Sequence, residues 1–232
     1  MGACKKIIRP GAIQYYNLDV PAGSIVFLAY DNQGNIIELS KENDAPNAHV
    51  WDYNNEYPIA QVTGSTVNKI AYTSFEADGW GGWEVNPGSI IDATKGFNGT
   101  KSFSGAIRKT VPSGNYTVTL WANTGGFATV NGQSGTPGVT RGIWQLFTWN
   151  LTNVSFVEVA SANMDEVRLF PQGALMTTYT YEPLVGMTSQ CDANNRITYY
   201  EYDAFGRLKT IRDENKNVLK TIDYQYQKNQ NQ

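Results

Sequence analysis

The chain has 232 residues, a formal net charge of -3 and only 17% charged residues, with 22 Gly, 14 Tyr and 6 Trp. This length allows one large domain or two modest ones, and the aromatic and turn-forming residues favour strands over helices. The weak negative charge, with basic clusters as short as Lys5-Lys6, argues against a nucleic-acid-binding protein. No apolar run approaches the roughly 20 residues of a membrane-spanning helix.

The first ten residues contain basic side chains, but no apolar stretch follows them, so we find no signal peptide. Export would be directed by sequence outside this chain, or the chain is a fragment. Cys4 and Cys191 are far apart in unlike surroundings, which indicates neither a disulfide framework nor a thiolate metal site. A single bridge between them stays open, although we do not expect it.

A short motif repeats in one frame near both ends of the chain: Asp, two arbitrary residues, a turn residue, Asn or Arg, then an aliphatic residue. It occurs at 31–36, 192–197, 203–208 and 213–218. We interpret each copy as a hairpin turn that the Asp carboxylate caps and in which the fourth residue takes a positive φ. Lys216 is the weakest fourth residue, because lysine has no special tolerance for positive φ. Alternating residues between the turns predict half-buried strands that are successive rungs of one sheet.

These residues resemble a known family. Tyr30-Asp31 with Gly34-Asn35-Ile36, and Tyr202-Asp203 with Gly206-Arg207-Leu208, look like the YD repeats of RHS proteins. The stretch 50–60 is similar to a repeat-adjacent segment of such proteins in Bacteroidota. The resemblance covers roughly 13–66 and 177–226 and implies strands that wind into a large hollow β-shell, of which four repeats form only a part.

Residues 69–170 lose the YD frame, and we interpret 67–176 as an inserted β-sandwich between repeat strands at 13–66 and 177–227. Its strand candidates are 71–75, 101–104, 116–122, 128–130, 144–150, 154–160 and 166–170. Turn signals such as Ser113-Gly114 and Asn131-Gly132 separate them, and short strands at this spacing predict a sandwich. Residues 1–12 are predicted to be an N-terminal segment, and 228–232 a flexible tail.

The order of features in the insertion resembles jelly-roll carbohydrate-binding modules, a superfamily in which many members bind no sugar. The resemblance rests on Ser74-Phe75-Glu76, a Gly-Trp segment, 99–102, 114–118 leading to Trp121-Ala122, and 164–169. The predicted fold class is therefore all-β: an antiparallel YD-repeat hairpin sheet, part of an RHS shell, with an inserted jelly-roll β-sandwich.

The same resemblance implies a structural calcium ion at Glu76 and Asp165, because such modules often hold Ca²⁺ between a glutamate near the first strand and an aspartate near the last. The alternative is that both are surface or turn carboxylates. The best ligand-site candidate is the segment 78–84, in which Trp80 and Trp83 would stack on a sugar ring beside Glu84. The alternative here is that the tryptophans cap the sandwich.

Catalysis is not indicated, since the chain has one histidine, His49, and nothing in the spacing of Glu76, Asp78, Glu84 and Glu158 requires a hydrolase pair. We therefore expect a non-enzymatic scaffold or interaction fragment of an extracellular or cell-surface YD-repeat protein, whose partners are the remaining repeats of its parent. A glycan-binding, lectin-like module is one alternative. The casing of an RHS polymorphic toxin is another.

Overall fold

The computed structural model describes residues 12–17 and 20–225, whose regular elements are all antiparallel strands apart from one short 3-10 helix at Val67–Lys69. The all-β prediction is confirmed. The strands are β1 Ala12–Asn17, β2 Val20–Tyr30, β3 Ile36–Lys41, β4 Asn47–Asp52, β5 Tyr57–Thr63, β6 Ala71–Thr73, β7 Glu84–Val85, β8 Ile90–Asp92, β9 Ser102–Asn123, β10 Ala128–Val130, β11 Gln133–Ser134, β12 Thr136–Arg141, β13 Trp144–Pro171, β14 Leu175–Glu182, β15 Gly186–Cys191, β16 Ile197–Tyr202, β17 Leu208–Arg212 and β18 Val218–Thr221.

Some predictions fall outside the described residues: Cys4, the tail at 228–232, and the N-terminal segment apart from residue 12. Within the described part of the chain, no helix is both long and apolar enough to span a bilayer.

The first sheet has ten strands in the order β1-β2-β3-β4-β5-β14-β15-β16-β17-β18. Its order follows the chain except at one point, where β5 pairs directly with β14. Thr63 lies opposite Leu175 and Ala60 opposite Thr178, so the chain leaves the sheet after β5 and returns to the adjacent position. The segment between these strands forms the second sheet. We call it the insertion, and we call the ten-stranded sheet the repeat sheet.

The four predicted hairpin turns are confirmed in detail. In each, the Asp carboxylate accepts backbone N–H bonds within the turn, as Asp203 Oδ1 does from Phe205 (2.9 Å) and Arg207 (3.0 Å). The fourth residue has a positive φ in every copy: 100° at Gly34, 59° at Asn195, 72° at Gly206 and 66° at Lys216. Lysine thus adopts the same conformation as the glycines, at the cost of placing a Cβ in the left-handed region.

The insertion has fewer and longer strands than the sequence predicted. The candidates at 144–150, 154–160 and 166–170 are one continuous strand, β13, and Ser113-Gly114 lies inside β9 instead of forming a turn. Register shifts between Leu151 and Phe156 and between Ser161 and Met164 bend β13 without ending it. Residues 116–122 of β9 consequently pair with both ends of β13, while 105–110 pair with its middle. Asn131-Gly132 does form the predicted two-residue turn, with φ of 51° and 75°.

Two hydrophobic clusters hold the fold together. One lies inside the insertion and draws residues from both halves of β9 and β13, among them Ile107, Leu120 and Val159. The other joins Ile59 and Met176 of the repeat sheet to Tyr72 of the insertion. Burial alternates along β14, which shows that one face of the repeat sheet is covered. The jelly-roll connectivity and the exact domain boundaries stay predictions.

Candidate binding cleft between the repeat sheet and the insertion

A buried polar network joins the insertion to the repeat sheet. At its centre is Glu166, which is 2% exposed and has a φ of 53°. Its Oε1 accepts hydrogen bonds from the Tyr72 hydroxyl (2.7 Å) and from Asn98 Nδ2 (2.6 Å). Burial and the neighbouring Glu166 carboxylate raise the pKa of Tyr72 well above its ordinary value, so Tyr72 acts as a donor here.

Arg168 carries the network into the repeat sheet. Its Nε lies 3.9 Å from Glu166 Oε2, and both side chains are almost fully buried. Its two terminal nitrogens donate to the carbonyl oxygens of Cys191 (3.0 Å) and Asp192 (2.9 Å) and to the Thr178 hydroxyl (2.7 Å). A buried charge is tolerated only when it is paired and hydrogen-bonded. The arginine of the insertion therefore depends on the repeat sheet for most of its partners.

Small hydroxyl side chains on the covered face of the repeat sheet meet this network. Thr178 and Thr180 of β14 and Ser189 of β15 are nearly inaccessible to solvent. Asn98 Nδ2 donates to Ser189 Oγ (2.8 Å), and Ser189 Oγ lies 2.6 Å from Thr180 Oγ1. An aliphatic face would leave polar groups of the insertion without partners, because Thr178 accepts from Arg168 and Ser189 accepts from Asn98.

The β4–β5 turn is interlocked with the Gly-Trp segment of the insertion. Asp52 accepts backbone N–H bonds from Tyr53 and Gly79 (both 2.8 Å) and from Gly81 (3.3 Å). Burial raises the pKa of Asp52, and these N–H donors oppose the rise. Gly81 has a φ of 54°, and a Cβ there would collide with the carbonyl oxygen of Tyr72. The Gly-Trp segment is thus fixed against the sheet.

This docking explains where the predicted ligand-site residues lie. Trp83 is 5% exposed and belongs to the core of the insertion, and Trp80 packs edge-on against Phe103 at 5.8 Å between ring centroids. Glu84 is exposed and forms an ion pair with Arg108 at 3.2 Å. Stacking on a sugar ring requires an exposed indole face, which Trp83 lacks. Its position agrees with the alternative, in which the tryptophan packs on the sandwich.

The predicted calcium residues, Glu76 and Asp165, both hold the loop 97–101. Asp165 is fully buried, and its Oδ2 accepts N–H bonds from Phe97 (2.7 Å) and Asn98 (2.8 Å). Glu76 Oε1 accepts from the N–H groups of Thr100 (2.7 Å) and Lys101 (2.6 Å). Burial and then Glu166 raise the pKa of Asp165, which the backbone donors partly offset.

These residues do not fit a calcium site. Ca²⁺ takes six to eight oxygen ligands, whereas both oxygens of Asp165 accept N–H bonds, and those of Glu76 accept from two N–H groups and from the Thr100 hydroxyl. Across residues 12–17 and 20–225, no group of three or more His, Cys, Asp or Glu side chains is placed to hold a metal ion.

A cleft opens where the two parts of the chain meet. It has a volume of about 720 Å³ and is lined by the β4–β5 turn, the β14–β15 hairpin, and the insertion loops 76–78 and 99–101. Tyr53, Tyr57 and Tyr181 form an aromatic wall. Tyr57 and Tyr181 are stacked at 4.8 Å between ring centroids, and Tyr53 meets both rings edge-on at 5.8 Å.

The charge of this cleft is predominantly negative. Glu56, Asp78 and Glu182 line it, and none of them is within ion-pair distance of a described lysine or arginine. Lys101 is the cation in the wall, and its Nζ donates to the backbone carbonyl oxygen of Glu76 at 2.9 Å. Burial raises the pKa of Tyr53 to about 12; the N–H of Tyr181 opposes this rise, and the carboxylates of Glu76, Asp52 and Glu166 add to it.

Sequence reasoning missed this cleft. The repeat sheet contributes two segments to the cleft, 53–57 and 181–182, which are more than 120 residues apart in the sequence. They meet directly, because the N–H of Tyr181 donates to the Tyr53 hydroxyl at 3.1 Å. The available signal was that both places set tyrosine beside glutamate at the end of a repeat strand. Only the pairing of β5 with β14 brings them together.

Comparison with known protein families identifies one repeat segment of the chain. Residues 186–218, which run from β15 into β18, match the family model described as RHS Repeat. This match covers less than half of the chain, and it confirms the predicted YD-repeat character of this segment. No curated protein matches the chain.

Among solved structures, the chain is similar to the one described as "Crystal Structure of TcdB2-TccC3-TEV", with 12% identity and a TM-score of 0.21. The alignment covers 91% of this chain and 12% of that chain. The chain thus spans a small fraction of that protein's length.

Proposed function

We propose that the chain is a non-enzymatic scaffold segment of an extracellular or cell-surface RHS-repeat protein, which carries the insertion as a firmly docked module. The observation that carries this proposal is the path of the Arg168 side chain, which leaves the insertion and donates to carbonyl oxygens at the first turn of the second repeat block. A module that was merely displayed on a flexible tether would satisfy its buried charges internally.

A second contact supports the docking. Arg141 of β12 lies 3.5 Å from Glu214 in the last repeat turn, so the insertion contacts both the first and the third turn of the second repeat block. Together with the shared hydrophobic cluster, these contacts support the proposal that the insertion and the sheet unfold as one unit.

Equilibrium unfolding in urea tests the docking. Five of the six tryptophans lie in the insertion and only Trp51 lies in the repeat sheet, so tryptophan fluorescence reports mainly on the insertion. Far-ultraviolet circular dichroism reports on both sheets. We expect coincident transitions by the two probes; separate midpoints would contradict a docked module.

Exposure at the cell surface needs a different experiment. An epitope inserted at Gly125-Gly126, an exposed turn of the insertion, should be reached by antibody on intact cells that express the parent protein. Labelling only after the cells are permeabilised would contradict the proposed location.

A further inference from the structure

We infer that the cleft between the repeat sheet and the insertion binds an alkylammonium group, as carried by a lysine side chain of a partner protein. This inference goes beyond the proposed scaffold role, which requires no ligand. It is carried by the coincidence of a cavity, an aromatic wall and unpaired carboxylates at one place.

The size and lining of the cavity fit a ligand of mixed character. A volume of about 720 Å³ is within the range of binding pockets and exceeds that of one side chain, so a short peptide segment can enter with its lysine. Tyr57, Tyr181 and Pro183 supply an apolar surface for the methylene stem of that lysine. Long basic side chains commonly lay their stems along such surfaces while the charge stays near water.

The carboxylates supply the charge preference. Within the part of the chain that the structure describes, Glu56 and Glu182 are exposed without a cationic partner, and Asp78 accepts one hydrogen bond, from the N–H of Asn54 at 2.9 Å. The single lysine of the wall, Lys101, already donates to a backbone carbonyl. An entering ammonium group would therefore find uncompensated negative charge, whereas an entering anion would be repelled.

The faces of aromatic rings attract cations, and because Tyr57 and Tyr181 are half-buried and stacked on each other, at most one face of each ring is open to a ligand. Hydrogen bonds fix the rings: the Tyr181 hydroxyl donates to the carbonyl oxygen of Pro58 (3.0 Å), and the Tyr53 hydroxyl accepts from the Tyr181 N–H. The chain uses the same chemistry elsewhere, where Lys216 Nζ lies 2.8 Å from the centroid of the Tyr199 ring. A preformed wall of this kind loses little conformational entropy on binding.

The test is an NMR titration of the full chain, with the backbone amides of Thr100 and Thr188 as reporters in the cleft wall. The probes are N-acetyl-lysine-N-methylamide and its isostere N-acetyl-norleucine-N-methylamide, which lacks the ammonium group. We expect the lysine probe to bind in the millimolar range and the norleucine probe to bind about tenfold more weakly. A third probe, 1,5-diaminopentane, tests whether the cleft prefers a free diamine to a lysine side chain. We expect the lysine probe to bind at least as tightly as the diamine.

A double variant and a matched control identify the carboxylates. Glu56→Gln with Glu182→Gln should weaken lysine binding by about fivefold to tenfold, because each exposed ion pair contributes up to about a factor of five. Glu158→Gln removes one negative charge away from the cleft and should leave the affinity unchanged. Binding should also weaken in 0.5 M salt.

Three results would overturn the inference: equal binding of the two isosteric probes, no shift of Thr100 and Thr188 by the lysine probe, or unchanged affinity in the double variant. A neutral oligosaccharide that shifts the same amides while the lysine probe does not would assign the cleft to glycans instead. None of these results bears on the coincidence of the unfolding transitions, so the docking proposal stands or falls separately.

Discussion

Arg168 Nη1 in the insertion donates a hydrogen bond to the backbone carbonyl oxygen of Asp192, 2.9 Å away in the repeat sheet. Asp192 is the residue that caps its repeat turn, since its Oδ1 accepts N–H bonds from Asn194 and Arg196. One arginine thus links the buried acid of the insertion, Glu166, to the geometry of a repeat turn. The insertion is held by the same structural feature that defines the repeat.

Arg168→Met should therefore be strongly destabilising. The variant leaves Glu166 buried without its cation and removes the partner of two carbonyl oxygens, which we expect to lower the free energy of unfolding by about 3–5 kcal/mol. Arg108→Met is the matched control, because the Arg108–Glu84 pair is solvent-exposed. The control should change stability by less than about 1 kcal/mol. Urea unfolding measures both, and similar losses in the two variants would show that the buried pair has no special role.

Lys216 provides a test of strain in the repeat turn. Its φ of 66° places a side chain in the left-handed region, while its ammonium group lies over the Tyr199 ring. Lys216→Ala keeps the strain and removes the ring contact, whereas Lys216→Gly removes both. The glycine variant should be more stable than the alanine variant by about 1 kcal/mol, the usual cost of a left-handed residue with a Cβ. Equal melting temperatures for the two variants would contradict a strained turn.

Cys191 should be chemically silent in the folded chain. It is 1% exposed, and burial raises the pKa of its thiol to about 12. In a Cys4→Ser variant, where it is the sole cysteine, we expect almost no reaction with a disulfide reagent at pH 8 until urea unfolds the protein. The raised pKa has a second consequence: the contribution of the neutral thiol to stability is complete below pH 9 and is lost as the pH rises towards 12. Rapid labelling in native buffer would contradict the buried position.

Calcium should not alter the stability of the chain. Glu76 and Asp165 already accept backbone N–H bonds from the loop 97–101, so a cation would have to displace those donors. Thermal melts of the full chain in calcium and in chelator should give the same midpoint. A midpoint raised by calcium and abolished by Asp165→Asn would restore the metal site that the resemblance to carbohydrate-binding modules implies.

The repeat turns could be predicted from the sequence because each is decided within six residues. The carboxylate of Asp31 meets the N–H groups of Gly34 and Asn35 in its own turn, and no distant residue is needed. Even the weak member at Lys216 follows the frame, which shows that the Asp cap and the flanking strands outweigh the preference of the fourth residue.

The candidate site could not be predicted, because its residues meet only through long-range packing. The Gly-Trp segment suggested a flexible, exposed loop, but Asp52 fixes it from 27 residues away at Gly79. Along β14, threonines alternate with other residues, but nothing in the sequence indicates that the face carrying Thr178 and Thr180 is the buried one. The local sequence pattern of a strand does not reveal which surface that strand will pack against.

Native-state hydrogen exchange of the full chain tests the central claim most directly. If the insertion and the repeat sheet form one unit, the slowest amides of β14 and β15 and those of β9 and β13 should open with the same free energy, equal to that of global unfolding. In Arg168→Met, the amides around Cys191 should lose protection first. Repeat-sheet amides that open independently of the insertion in the unmodified chain, and that are unaffected by Arg168→Met, would contradict the account.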